Sequence, residues 1–320
     1  LALENGEILT GTVQVQGNIT NTSNFDGGTG FIHITGGGVR TINLTSTAEM
    51  PDMRVNDANV TLNLPNTGGL QLRIEGNLDI DAGTVNVQAD RLLVDGTFDQ
   101  SGGTFTQTTG EIEITSTYNQ SGGTFTGVAG VLDYNSTFLQ SGGTFSAGSG
   151  DVDIASTLSL SGSADFTSTT SGTIDVVSNV FITGGSYTGG GDVIDFNGNF
   201  SQTAGTFDAG AGNIDLTGTF VLSGTGSFTA NSSGTFTFGS TYTQSDATSA
   251  FIGAAGDLDL NNDLTITDGA FTSSSGNFNF AGETWTMNAA ACAAFDPNGG
   301  TVIYDRNGNP SPTVTLGANT

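Results

Sequence analysis

Basic residues are almost missing from this sequence. There is no lysine, and the five basic residues are arginines at 40, 54, 73, 91 and 306, set against 31 acidic residues for a net charge of −26. A nucleic-acid surface needs a basic footprint, and this chain has none. An anionic membrane surface would repel it. No run of about 20 apolar residues is present, so no membrane-inserted segment is expected. The single cysteine, Cys292, excludes an intrachain disulfide; it reads as a small buried apolar residue, with an intermolecular bridge as the functional alternative. The start Leu1-Ala2-Leu3-Glu4 carries neither an initiator Met nor a basic leader, and reads as a processed product or a segment of something longer.

What is abundant is glycine, with 50 residues, together with Thr, Ser, Asn, Asp and 21 Phe. A disordered Gly/Ser chain would lack so regular a supply of Phe, Ile, Leu and Val. The supply is periodic. Gln-Ser-Gly-Gly-Thr-Phe occurs at 100–105, 120–125 and 140–145. Its aromatic position continues as Phe166, Tyr187, Phe207, Phe228, Phe251 and Phe271; eight steps from Phe105 cover 166 residues, a mean of 20.75. A second column reads Tyr118, Phe138, Leu158, Val180, Phe200, Phe220, Tyr242, Leu264. A third is a pair of apolar residues flanking one polar residue, from Ile112/Ile114 and Leu132/Tyr134 through to Phe278/Phe280. That alternation is a short strand with one buried face.

A unit of about 20 residues cannot bury its apolar face alone, so such units must stack. The expected fold is therefore all-β, a parallel β-solenoid (β-helix) with three faces and 20–22 residues per coil. It is right-handed by the general rule for parallel crossovers. The expected organisation is a single elongated solenoid over 1–320, with less regular coils at 1–90, regular repeats at 91–288 and an irregular end at 289–320. Roughly 15 coils follow from 320 residues at 20 to 21 residues per coil, each rising about 4.8 Å. Met50-Pro51 reads as a loop. The column Gln100, Gln120, Gln140, Gln202, Gln244 alternates with Leu160, Ile182, Leu222 and Ile266. It reads as interior positions whose glutamines form amide ladders.

The strongest outward feature is acidic. Between the paired apolar residues stand Glu113, Asp133, Asp153, Asp175, Asp195 and Asp215, then Thr237, Asp259 and Asn279. Carboxylates about 5 Å apart repel by about 1 kcal/mol per pair even in water. A Ca²⁺ ion would relieve this through oxygen ligands from neighbouring coils. The seven acids of that column are the candidate metal ligands, and the plain alternative is a solvated acidic face. No cofactor is required. Thr104/Thr106, Thr124/Thr126 and Thr144/Ser146 form an outward hydroxyl array that reads as good strand formers on an exposed face. Asn-x-Ser/Thr triplets at Asn18, Asn21, Asn43, Asn59, Asn119, Asn135, Asn199 and Asn231 permit glycosylation. His33, the only histidine, falls on the polar side of an alternating strand. Between Arg91 and Arg306 there is no basic residue to bind an acidic polysaccharide or abstract its protons.

The repeat Ser-Gly-Gly-Thr-Phe-x₄-Gly-x-φ-Asp-φ, φ being apolar, resembles repeats of very large secreted bacterial surface proteins of the adhesin-like kind. The tail, with Trp285-Thr-Met, Phe295-Asp-Pro-Asn-Gly-Gly-Thr-Val-Ile-Tyr-Asp and Thr313-Val-Thr-Leu-Gly-Ala-Asn-Thr, is similar to another segment recurring in such proteins. The resemblance covers most of residues 91–320. It implies an extracellular, cell-surface or matrix location and transfers no functional residue. The expected role is a structural subunit or segment of an extracellular filament or surface fibre, stacking end to end with itself, and not an enzyme. The alternatives are an adhesin stalk or glycan-binding module meeting extracellular polysaccharide and, as a minor one, a polysaccharide-acting enzyme.

Overall fold

The computed structural model describes all residues except 46–47, 66–67, 128, 169, 289–290, 292–293, 305–312 and 317–320. Cys292 and Arg306 therefore lie outside the described residues. The chain is all-β, and its parallel sheets form a β-solenoid of about 14 turns. It divides into two compact units, Leu1–Ser156 and Thr157–Thr320.

In the first unit, one face is built from Ala48–Met50, Gln71–Ile74, Arg91–Val94, Glu111–Ile114, Leu132–Tyr134 and Val152–Ile154, all parallel. Leu72, Leu92, Ile112, Leu132 and Val152 stand in one column. The second and third faces come from Phe98–Gln100, Tyr118–Gln120 and Phe138–Gln140, and from Thr104–Gln107, Thr124–Thr126 and Thr144–Ser146. In the less regular coils, single long strands cover both of these faces, as in Asp52–Leu64 and Leu78–Val87, with register shifts where the chain turns the corner. Pro51 is a buried corner one residue long between two strands, not a loop. Proline suits that place because a corner needs no ladder N–H from it.

The second unit repeats this plan. One face runs through Thr173–Val176, Val193–Phe196, Ile214–Leu216, Thr235–Phe238, Asp257–Leu260, Asn277–Phe280 and Thr301–Tyr304. The aromatic column extends one coil beyond the periodic sequence, to Phe295 against Phe271. The second column likewise continues from Leu264 to Trp285 and Val314.

The core is a set of ring stacks along the axis. Phe105, Phe125 and Phe145 stack with centroids 4.9 and 4.7 Å apart, the natural spacing of adjacent strands. Phe98 and Phe138 meet the edges of Phe105 and Phe145 at 5.2 and 5.0 Å. In the second unit, Tyr187, Phe207 and Phe228 stack at 4.3 and 4.5 Å. Offset and edge contacts of this kind add about 0.5–1.5 kcal/mol per pair beyond area burial.

The Gln-Ser-Gly-Gly corner explains itself in this geometry. The second glycine is left-handed at Gly103, Gly123 and Gly143, with φ of 63°, 71° and 75°. A Cβ on Gly123 would sit 2.4 Å from the carbonyl oxygen of Gly102. The glutamines are interior, as expected, but they are not chiefly an amide ladder. Gln120 Nε2 lies 3.4 Å from Gln100 Oε1, whereas it donates at 3.0 Å to the carbonyl of Thr144 in the next coil. Gln100 does the same to Thr124, and Gln202 donates at 3.0 Å to both Gly205 and Ser227. Each glutamine ties a corner to a neighbouring strand, because backbone carbonyls left free at a corner need a donor.

Two of the asparagine triplets are not surface acceptors, since Asn21 and Asn231 are buried. Others act at corners. Asn199 Oδ1 accepts the Thr219 N–H at 2.9 Å, and Asn18 Oδ1 accepts the Thr41 N–H at 3.0 Å.

Candidate functional site

The acidic column forms a line on the outer side of one strand per coil. In the first unit Glu113, Asp133 and Asp153 are direct register partners. In the second, Asp175, Asp195 and Asp215 are, followed by Thr237, Asp259 and Asn279. Partial burial, then Glu113 and Glu111, push the Asp133 carboxyl above the usual aspartate value, against the pull of Arg91. Asp195 is raised by partial burial and by Asp215 and Asp175 on either side. The mutual cost of the line is thus visible in the middle member of each trio. Neighbouring side chains offset part of it: Arg91 pairs with Glu113, and Asn135 and Asn197 donate at 2.8 Å to Glu113 and Asp175. Chemically, such a line offers single oxygens from successive coils, a bridging arrangement for divalent cations and not a closed cage.

Carboxylates converge elsewhere. Among the described residues, Asp26, Glu49 and Glu75 are the group whose oxygens all lie within 4.8 Å of one another. Asp26 and Glu75 line a cleft of about 500 Å³ in the first unit, together with Glu7, Asp52, Arg73 and Asp95 among others. Arg73 organises it, with Nη1 2.9 Å from Glu49 and Nη2 2.7 Å from Asp95. Those two carboxylates hold the guanidinium pKa above its ordinary value. Glu75 Oε2 accepts the Gly28 N–H at 2.9 Å, and Asp52 Oδ1 accepts the Asn77 N–H at 2.7 Å. These carboxylates brace irregular coils through one arginine and backbone amides. Arg54 with Asp81, and Arg91 with Glu111 and Glu113, repeat the device. Periodicity could not reveal this cluster, because positions 26, 49 and 75 follow no common repeat. The available signal was the placing of Arg54 and Arg73 beside coils of longer spacing.

A third feature is a break in the repeat. Asp192 takes the place that Gly212 and Gly172 occupy in neighbouring coils, and it is buried. Ser168 Oγ donates to Oδ2 and the Gly190 N–H donates to Oδ1, both at 2.8 Å. Burial raises its pKa, with the Ser168 and Gly190 hydrogen bonds opposing.

His33 lies outward in Phe31–Ile34, with Gln14 and Arg54 as its register neighbours. No carboxylate stands directly above or below it on the ladder, so the strand pairing supplies it no acid–base partner. Among the described residues no helix is long and apolar enough to cross a membrane. No protein-family model, curated protein or solved structure matches this chain.

Proposed function

We propose that the chain is a structural segment of an extracellular filament or cell-surface fibre, of the kind formed by the large secreted surface proteins its repeat resembles. The observation that carries this is the in-register ladder. Identical residues pair from coil to coil, as in Phe105, Phe125 and Phe145 or Ile174, Ile194 and Ile214. Each coil is therefore a template for another like it, and coil-on-coil stacking is the contact the sequence repeats most faithfully. An edge of such a ladder presents unpaired N–H and C=O groups to which a further strand can add. The chemistry-bearing side chains support the same reading. Arginines neutralise carboxylates in the irregular coils, and one column of acids from Glu113 to Asp259 recurs as a line that keeps an exposed β surface soluble. Negative-stain microscopy of the purified chain tests the proposal, with filaments expected. Discrete particles at every concentration, combined with capture on a glycan array, would replace it with a glycan-binding module. Release of reducing sugar from a polysaccharide panel would replace it with an enzyme.

A further inference from the structure

The first unit presents one face that carries no carboxylate; its one charge is Arg40, at the first coil, which donates to the carbonyls of Val39, Gly36 and Gly37. Its outward positions form two columns in strict register. One runs Val39, Thr61, Thr84, Thr104, Thr124, Thr144, and the other runs Thr41, Asn63, Asn86, Thr106, Thr126, Ser146. Only the last three coils of this array were legible as a Thr-x-Thr pattern. The irregular spacing before residue 90 hid the rest until strand pairing aligned it. The other two faces of this unit carry Arg73, Glu113, Asp133 and Asp153, and Arg54, Asp79 and Asp99. The acids nearest this face in sequence are engaged at corners. Asp57 accepts the N–H groups of Gly36, Gly37 and Asn59, each at 3.0 Å. Asp81 pairs with Arg54.

Resting on the fibre reading above, we infer that this face is where filaments of this chain associate side by side, its occupant being the same face of a second copy. The argument is one of charge. In a chain of net charge −26, two copies approaching through either charged face bring carboxylates together, and like-charge juxtaposition is costly. The Thr/Asn face alone in this unit lets two copies meet without that cost. It offers methyl groups to bury and hydroxyl and amide groups to pair, as Asn86 Nδ2 already does at 2.9 Å with Asn63 Oδ1 within the chain. Size decides how strong the contact is. Six coils of a three-residue strand span about 25 by 10 Å, well short of the roughly 800 Å² per partner of a stable pair. Two free chains therefore stay apart. Chains already joined end to end present many such faces on one assembly, and the weak contacts add as a multivalent array. The inference is that lateral association follows filament formation and does not precede it.

The test compares three full-length proteins by negative stain and light scattering at low and physiological salt. They are the wild type, the variant Thr104→Glu/Thr124→Glu/Thr144→Glu, and the variant Gln71→Glu/Leu93→Glu/Leu139→Glu, which adds equal charge on the other faces. Bundled filaments are expected from the wild type and the control, with loss of bundling and retention of single filaments in the Thr variant. Bundling by all three, dispersal of both variants, or single wild-type filaments throughout would overturn the inference while leaving the fibre reading intact. Absence of filaments would overturn both. Wild-type binding to an insoluble neutral polysaccharide that the Thr variant loses, without bundling, would reassign the face to that partner and overturn the inference. Should the Thr variant fail to fold, Thr124→Cys in a Cys292→Ser background decides. Oxidation of the assembled protein should cross-link it between chains, and a Leu139→Cys protein should stay uncross-linked; equal cross-linking of both would overturn the inference.

Discussion

The residues that say most about this protein are the ones a solenoid cannot exchange. Gly123 combines a φ of 71° with a preceding-coil carbonyl 2.4 Å from where a Cβ would go. The left-handed conformation alone costs an L-residue about 1–2 kcal/mol, and the clash adds to it. Gly123→Ala should therefore lower the melting temperature, while Thr124→Ala beside it, on the outer side, should change it little; differential scanning calorimetry of the pair checks this. Asp192 makes a prediction in pH. Its carboxyl binds a proton more tightly folded than unfolded, because burial raises the folded value. The stability tied to it is thus fully present below the ordinary aspartate pKa of about 3.9 and is lost as pH rises through the raised folded value. Asp192→Asn should flatten that part of the stability profile of the second unit and raise its stability at neutral pH. Denaturant melts from pH 4 to 8 would show it, and an unchanged profile would remove Asp192 as the cause. Asp192→Ala should instead cost about 1–3 kcal/mol, since it leaves the Ser168 hydroxyl and the Gly190 N–H without their acceptor.

At the level of the strand and its column, energy and charge separate onto opposite sides. Inward, Phe125 stacks between Phe105 and Phe145 and meets Phe98 and Tyr118 edge-on. Phe125→Ala should cost about 3–5 kcal/mol. In a stacked repeat the damage should stay near its own coil, so hydrogen exchange should rise first around 98–146. Outward, the acidic column Glu113, Asp133, Asp153 and its counterpart Asp175, Asp195, Asp215 hold their central carboxyls above the usual aspartate value, by partial burial first and by flanking carboxylates second, with Arg91 relieving part of it at Asp133. Ca²⁺ at low ionic strength should raise the melting temperature, and chelator should lower it. Asp133→Asn with Asp195→Asn should raise the metal-free melt and shrink the Ca²⁺ effect. An identical melt with and without the ion would leave the column as a solvated face. These columns were legible because period-2 alternation fixes which side each residue faces. The arginine-braced cleft was not, because convergence of Asp26, Glu49 and Glu75 depends on where unequal loops return the chain.

For the molecule as a whole, translation by one coil is the governing symmetry. Deleting residues 121–140 joins Gln120 to Ser141 and restores the motif Gln-Ser-Gly-Gly-Thr-Phe. That shortened chain should keep its β circular dichroism and unfold cooperatively. Deleting 121–130 removes half a period and puts apolar residues opposite the wrong face, so it should fold poorly or aggregate. If both deletions behaved alike, register would not be what holds the coils.

Sequence alone determined the fold class, the 20–22-residue coil, the inward and outward sides of the regular strands, and the acidic line, since all of these follow from local periodicity. It also placed the glutamines inside. Only the tertiary structure decided what those glutamines bond, which asparagines are buried, and how Arg73 gathers carboxylates from three coils. It also revealed that the face without carboxylates spans six coils of the first unit. The physical reason is the same in each case. Alternation along a strand reports which way a side chain points, but its partners lie in the next coil, and the length of the intervening corner decides which residues those are.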